Sequence, residues 1–599
     1  MKRRHVSSWL LSLSFLTCVV AATMGGCSQD RSSFAGEPIF DVPSADADVP
    51  ETSICQRRCS LDFRAVLDCN DQVVERCSDA LACGAGRCQD PCAAAAAEPS
   101  SLGCEFYVQA ANLGAPVISP SCYAALLVNT STQPVDVSVE LDGQPRDLTH
   151  ALFRSTQGTI ELERLDGPLP PGESAILFLA DNDPDKPLSL IQQQYYVGCP
   201  EGVVPAAYLD GNSHRTSVGT AFHVRTSAPV SMATVFPFGG AASFFTTSSL
   251  NFPVPSWGNE NMIVNGWESQ GEGADPAAQI FAAEDDTHVT IIPKRPIQDG
   301  EGVVGAPANA PVTYRLDKGQ YLQLVQSEEL TGSFVTSDKP TSVVGGHAVA
   351  NVPSNSGAAD ILSQQLPAIK QWGNEYVGVG YAPRGLGETE WMIYRIVGAR
   401  DGTLLDWDPA VPAGAPVELS AGESVTFYAG VGEAFVVRSQ DTEHPFYLAA
   451  YMVGSSGEFN SGAVANGDPE FVNVVPAKQY LSAYSFYADP TYSETSLVVV
   501  RAKDHGEFKD VWLDCAGKLT GWKPVGTRGA YEWLRVSLSH DYGPGDAFDA
   551  GVCSYGLRRT WSDGPFTATI WGGSYCVSYA YPGAMALRTL ADLPLVVPH

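Results

Sequence analysis

Along residues 104–599 apolar and polar side chains alternate in short runs. "VDVSVEL" at 135–141, "TIELERL" at 159–165 and "LRVSLS" at 534–539 each turn every second residue to an apolar face. A period of two puts one face in a core and the other in water, the pattern of an antiparallel sheet. Gly, Pro, Asn and Asp interrupt these runs at short intervals, and the 57 Gly and 42 Pro of the chain fit many turns. No long stretch carries the 3.6-residue period of an amphipathic helix. The pattern predicts an all-β chain.

The runs also repeat. "SWGNEN" at 256–261 returns as "QWGNEY" at 371–376, and "VPAKQYLSAY" carries a degenerate third copy with Tyr480 in place of Trp257 and Trp372. Strands with a Pro turn recur at Pro229, Pro340, Pro445 and Pro565, in steps of 111, 105 and 120 residues. Gly172, Gly319 and Gly422 also precede strands, and Thr287 recurs as Thr403. Each marker has a mechanical reading. Pro at a strand start forgoes a donor where the ladder has not begun, and Lys-Gly or Asp-Gly supplies a tight turn. A Trp at module period lays an apolar ring over a sandwich end while its indole N–H meets a carbonyl.

These spacings predict four units, 104–256, 257–371, 372–479 and 480–599, strung end to end. About seven strand-like runs per unit fit tandem antiparallel β-sandwich-like repeats, with a large-bladed β-propeller as the alternative. The copied Trp stretch then marks a seam between modules.

Composition changes the picture at the N-terminus. "MKRRH" followed by "WLLSLSFLTCVVAA" reads as a signal peptide over 1–26, too short to span a bilayer. "TMGGC" resembles a bacterial lipobox, so Cys27 is expected to be acylated and to hold the chain on a membrane surface through buried methylenes. Residues 27–54 are acidic and aperiodic, an expected disordered tether. No later apolar run is long enough for a transmembrane helix. The localisation expected is outer membrane or cell surface.

Next comes a cysteine-dense stretch. Cys55, Cys59, Cys69, Cys77, Cys83, Cys88 and Cys92, with Cys104 close behind, read as a small disulfide module over 55–103 in an exported chain. Zinc fits poorly, because C-x2-C pairs and nearby His are missing. Cys122 and Cys199 join the disulfide candidates. Cys515 and Cys553 could pair with each other, which would leave Cys576 over. The remaining connectivity is not readable. "AAAAAEPSS" reads as a soft boundary after the module.

The net charge of -31 repels phosphate backbones, so nucleic acid is not expected as a partner. Catalytic patterns are sparse: neither G-x-S-x-G, H-E-x-x-H nor a P-loop occurs. His347 in "VVGGHAV" is the most suggestive histidine, with a turn role as its bland reading. "DNDPDK" sets Asp181, Asp183 and Asp185 at alternate positions like the start of a calcium loop, but Lys186 and Gln192 stand where that loop needs Gly and Glu. Calcium is a weak candidate, and no other cofactor is expected. Asp285 and Asp286 read as turn residues.

The stretch "GQYLQL…LTGSFVTSDKPTSVVGGHAVANVP…ADILSQQLPAIKQWGNEYVGVG" resembles the N-terminal domain family of the IgGFc-binding protein, a likeness that covers most of the chain from about Cys104 onward. Its most specific positions are Gly345, Gly346, His347, Gln365, Leu366, Pro367, Trp372 and Gly373. Relatives carry Cys near Val349 and Ala359, so the resemblance implies a lost disulfide there. Glu470 in "NGDPEF" replaces the His of the self-cleaving G-D-P-H found elsewhere in the animal protein. What the resemblance implies is an extracellular binding domain with no catalytic set to carry over. The function expected is binding or adhesion to an extracellular protein or glycan, not catalysis. An exported hydrolase with a site of scattered loops, or a purely structural envelope protein, are the alternatives.

Overall fold

The computed structural model describes residues 57–591, apart from 61–62, 71, 112, 156–160, 210–214, 272, 386 and 456–465. The signal, Cys27, the tether and Cys55 lie outside the described residues.

Strands dominate from Arg58 onward, in sheets that follow the chain. The first sheet has ten strands between Leu102 and Leu250, the second eight between Ser217 and Leu366. Two four-stranded sheets follow between Glu375 and Asn473, and a ten-stranded sheet spans Leu481–Pro582. Their pairings are antiparallel among the described residues, except that Ser174–Asn182 runs parallel to Ala207–Leu209. The all-β, sandwich-like fold read from the alternation is the fold found.

One long strand organises each block. Phe222–Phe236 pairs through residues 222–226 with Val137–Leu141 and through 230–235 with Tyr123–Asn129. Phe334–Ala350 divides in the same way between Thr287–Ile292 and Pro276–Ala282. Gly556–Ser574 divides between Val511–Leu513 and Glu494–Asp504. Pro229, Pro340 and Pro565 therefore lie inside single strands, at their register shifts, and not at strand starts as the turn reading predicts. A residue without an N–H fits where the ladder changes partner. Only in the third block does the strand break, into Phe435–Ser439 and Phe446–Met452 with Pro445 between them. Its two sheets face each other across an aromatic core: Tyr394 meets Phe435 at 4.9 Å and Trp407 meets Phe427 at 5.2 Å between ring centroids.

The blocks are not independent beads. Ser217–Thr220 comes just before the long strand of the first sheet in sequence but pairs with Gln320–Val325 of the second. Gly332 and Gly422 touch backbone to backbone between the second and third blocks. A Cβ on Gly332 would stand 2.1 Å from the Gly422 oxygen, and both residues have positive φ, so only glycine fits the seam. Asp408 accepts hydrogen bonds from Thr527 N and Oγ1, both at 2.8 Å, joining the third block to the fourth.

The fourth block returns to the first. Ser248 Oγ donates to Ala580 O at 3.1 Å and Tyr487 OH donates to Ser155 Oγ at 2.7 Å, while just ahead of the first block Ser101 N donates to Met585 O at 2.8 Å. The arrangement is a closed ring, and so differs from blocks strung end to end. At its centre the short strands Thr247–Leu250, Asp360–Leu366, Glu470–Asn473 and Val577–Pro582 pack one on the next, one from each block.

The disulfide module sits before this ring. Its pairs are Cys59–Cys83, Cys77–Cys88 and Cys92–Cys104, and Cys69 is disulfide-bonded too. Farther on, Cys122 bonds Cys199 and Cys515 bonds Cys553, which leaves Cys576 as the free thiol among the described residues. The alanine run expected as a soft boundary forms the helix Pro91–Ala97. Alanine is the best helix former, Pro is tolerated in the first turn, and Asp90 caps the N–H groups of Cys92 and Ala93.

Candidate functional site: a groove between the third and fourth blocks

The positions singled out by sequence gather around the ring axis. Trp257 and Trp372 are buried, and each indole N–H donates to the carbonyl five residues before it, Phe252 O at 3.0 Å and Pro367 O at 2.9 Å. Gln365 links three of the four central strands. Its N–H donates to Ser249 Oγ at 3.0 Å and its carbonyl accepts from Asn473 Nδ2 at 2.8 Å, while its amide oxygen accepts from Phe252 N and its Nε2 donates to Ser342 Oγ. Gly373 N donates to Tyr376 OH, which donates on to Phe446 O. Gly345 and Gly346 admit no side chain, because Val264 O and Leu362 O press against them. Leu366 is buried in the core beside Trp372.

His347 is fully buried. Its Nε2 donates to Glu268 O at 3.0 Å, and Nδ1 accepts from Val349 N at 3.2 Å. Burial lowers its pKa to about 4, so at neutral pH it is an uncharged imidazole with both nitrogens engaged. That is a brace for the strand bend, with no free nitrogen for general-base work.

The aspartates at 181, 183 and 185 do not converge. Asp181 accepts from Tyr196 OH and Cys199 N, each at 2.8 Å, and Asp183 accepts from Asp185 N. Among the described residues no group of three His, Cys, Asp or Glu is arranged to hold a metal ion.

Elsewhere a groove of about 630 Å³ opens between the third and fourth blocks. One wall comes from the loop after Glu375–Gly378. There Arg384 is held by Glu390, with Nε 2.7 Å from Oε1, and lies over the Tyr381 ring. The other wall is the alternating strand Tyr531–His540 with its neighbour Glu494–Asp504. Trp533 and Trp571 form the floor, and Trp571 meets Tyr381 at 5.3 Å. Lys523 Nζ stands 4.7 Å over Trp533, and the Arg535 guanidinium lies at the same distance. Arg535 also ties the blocks together through Gly380 O at 2.9 Å and Glu388 at 2.9 Å. At the far end Ser539 Oγ is buried with no hydrogen-bond partner among the described residues. His540 on the rim pairs through Nδ1 with Glu494 at 2.9 Å, which raises its pKa.

A hydroxyl beside a histidine–carboxylate pair is the raw material of nucleophilic catalysis. Here Ser539 and His540 are neighbours on one strand and point to opposite faces, one buried and one exposed. The groove can bind through aromatic walls and balanced ion pairs. Sequence reading recognised the strand at 534–539 but gave no reason to set Trp533, Trp571 or Ser539 apart, since the groove forms only where two blocks meet.

The sequence model of the family described as "IgGFc binding protein" matches residues 247–572. That is more than half of the chain. The chain belongs to the IgGFc-binding protein family. The match begins on the first central strand and ends inside the last long strand, and so takes in most of the ring and the groove. The chain is also 26% identical over 258 residues to the human protein named IgGFc-binding protein. That alignment covers 42% of this chain and 4% of the human protein's length. Its disulfides and its family accord with a secreted or surface protein, and the family is one of binding proteins. No helix among the described residues is long and apolar enough to cross a membrane.

Proposed function

We propose that this protein is a lipid-anchored bacterial cell-surface binder, whose ring of β-sandwich repeats holds an extracellular protein or glycan in the groove between its third and fourth blocks. Cys27 carries the anchor, residues 27–54 lift the ring from the surface, and four repeats bounded near 256, 371 and 479 build it. Membership of a family named for binding supports this reading, and one observation carries it. The groove lies almost wholly within the family-matched segment and sets an aromatic floor between the ion-paired Arg384 and Arg535. The acidic chain and its buried neutral His347 favour binding over catalysis and over nucleic acid as a partner.

The test is surface plasmon resonance of the secreted chain against extracellular proteins, immunoglobulin Fc among them, and against a glycan panel. Lys523→Glu reverses one groove charge at an exposed side chain. A ligand that binds the wild type and loses at least tenfold with Lys523→Glu supports the reading. Failure across the panel, or indifference to the charge reversal, counts against it.

A further inference from the structure

Two tryptophans stand side by side on the outside of the fourth block. Trp512 and Trp561 are direct cross-strand partners, so their indoles leave the sheet on the same face. They remain 39% and 45% exposed, while Leu513 and Thr560, one step along each strand, are buried. Large apolar surface left in water beside a well-buried core marks contact with something else. No turn, cap or strand pairing requires indoles here.

The surroundings select the occupant. On one flank Trp561 faces only Ala483, which leaves the ring surface open; on the other Trp512 faces Lys518, itself held by Asp510 at 2.7 Å. One same-face step along the ladder come Asp514 and Arg559, where Arg559 N donates to Asp514 Oδ2 at 3.1 Å. These two residues also line a cavity of about 220 Å³ against Arg154 and Glu173 of the first block. The cavity is thus walled by two carboxylates and two guanidiniums. Asp510, and Asp563 two residues beyond Trp561, add negative charge at the other end. Positive and negative groups nearly cancel along this strip, so an anionic polymer would gain no net attraction there. A protein partner would find only two indoles of apolar surface inside a charged rim, too little for the apolar centre of an interface.

From this juxtaposition we infer that the Trp512–Trp561 pair and the adjoining Arg154–Glu173–Asp514–Arg559 cavity form a binding site for a neutral polysaccharide. A pyranose presents an apolar C–H face and a rim of hydroxyls. The C–H faces stack on the indoles, and the hydroxyls exchange hydrogen bonds with the carboxylates and guanidiniums at the block boundary. The inference rests on the chain being an extracellular binder but not on the groove, which lies on different residues.

Affinity electrophoresis of the secreted chain in gels containing laminarin, galactomannan or xyloglucan, with heparin and polygalacturonate as anionic controls, tests it. The variant Trp512→Ala/Trp561→Ala removes exposed side chains only, and its melting temperature verifies the fold. Lys523→Glu serves as the groove control. The expected result is retardation by at least one neutral polysaccharide, reduced at least tenfold in the double variant and unchanged in Lys523→Glu. Retardation by the anionic polymers alone, none by any polysaccharide, or equal retardation of wild type and double variant would each overturn it. Loss with Lys523→Glu alone would support the groove and reject this site.

Discussion

Gln371 Nε2 donates across 2.6 Å to the carbonyl oxygen of Ser256, the residue that holds its place in the copied Trp stretch 115 positions earlier. The same Nε2 lies 3.2 Å from Leu587 O. Gln479, next in the series, donates to Gln371 O and Arg588 O at 3.2 and 2.8 Å. Corresponding residues of three blocks thus meet, with Leu587 and Arg588 of the fourth, in one hydrogen-bonded cluster.

Gln371→Ala should therefore destabilise the protein by about 2–4 kcal/mol, because it leaves buried carbonyls of two other blocks without a donor. Gln479→Ala should cost a similar amount. The double variant should depart from additivity, since the two amides share one network. Urea unfolding of the three variants checks this.

Three carboxyls sit fully buried beside that axis. Asp360 accepts from Thr246 N at 2.6 Å and Ser578 N at 3.3 Å, and Glu470 accepts from Ser248 N, but neither has a cationic partner among the described residues. Burial raises the pKa of Asp468 to about 7 and those of Asp360 and Glu470 well above the ordinary carboxylate range. Each raised carboxyl gives stability that is full below its unfolded value near pH 4 and is lost as pH rises through its folded value. His347 works in the opposite sense: its lowered pKa gives stability that is full above about pH 6.5 and is lost as pH falls toward 4. Between pH 6.5 and 8.5 the His347 contribution is constant, so the melting temperature should fall across that window. Asp468→Asn should flatten the fall and stabilise the protein by about 1–3 kcal/mol at pH 8. A melting temperature that rises from pH 6.5 to 8.5 would contradict the assignment.

His347→Ala removes a buried ring and its bond to Glu268 O, and should cost about 2–4 kcal/mol. Where the variant remains folded, ligand affinity should match the wild type, because His347 faces the core and not the groove. Affinity lost in step with no change in stability would instead give the residue a direct binding role.

Maleimide labelling without reductant, followed by peptide mass spectrometry, should mark Cys576 among the described cysteines and leave Cys515 and Cys553 unmarked. Cys515→Ser/Cys553→Ser opens a link with a sequence separation of 38 and should cost about 3–4 kcal/mol by chemical denaturation.

What the sequence revealed follows from where the constraint is local. Gly172, Gly319 and Gly422 all have positive φ, so a backbone demand wrote glycine at each of the three turns. Trp257 and Trp372 bond carbonyls only five residues away, so the copied stretch carries most of its own geometry. Ring closure left no such trace. Ser248 and Ala580 meet across 332 positions through hydroxyl and backbone groups that many residues could supply. The prolines misled for a related reason, because a bent strand that changes partner and a strand that starts after a turn look alike in one dimension. Trp512 and Trp561 read as two ordinary strand residues until the register sets them opposite each other.

Small-angle scattering of the secreted chain tests the closed ring most directly. A compact body of this size has a radius of gyration of about 24 Å for its folded part, whereas four sandwiches in a line would give about 40 Å or more. A compact particle whose pair-distance distribution has a single main peak is the predicted result. An elongated particle with one maximum per block would contradict it.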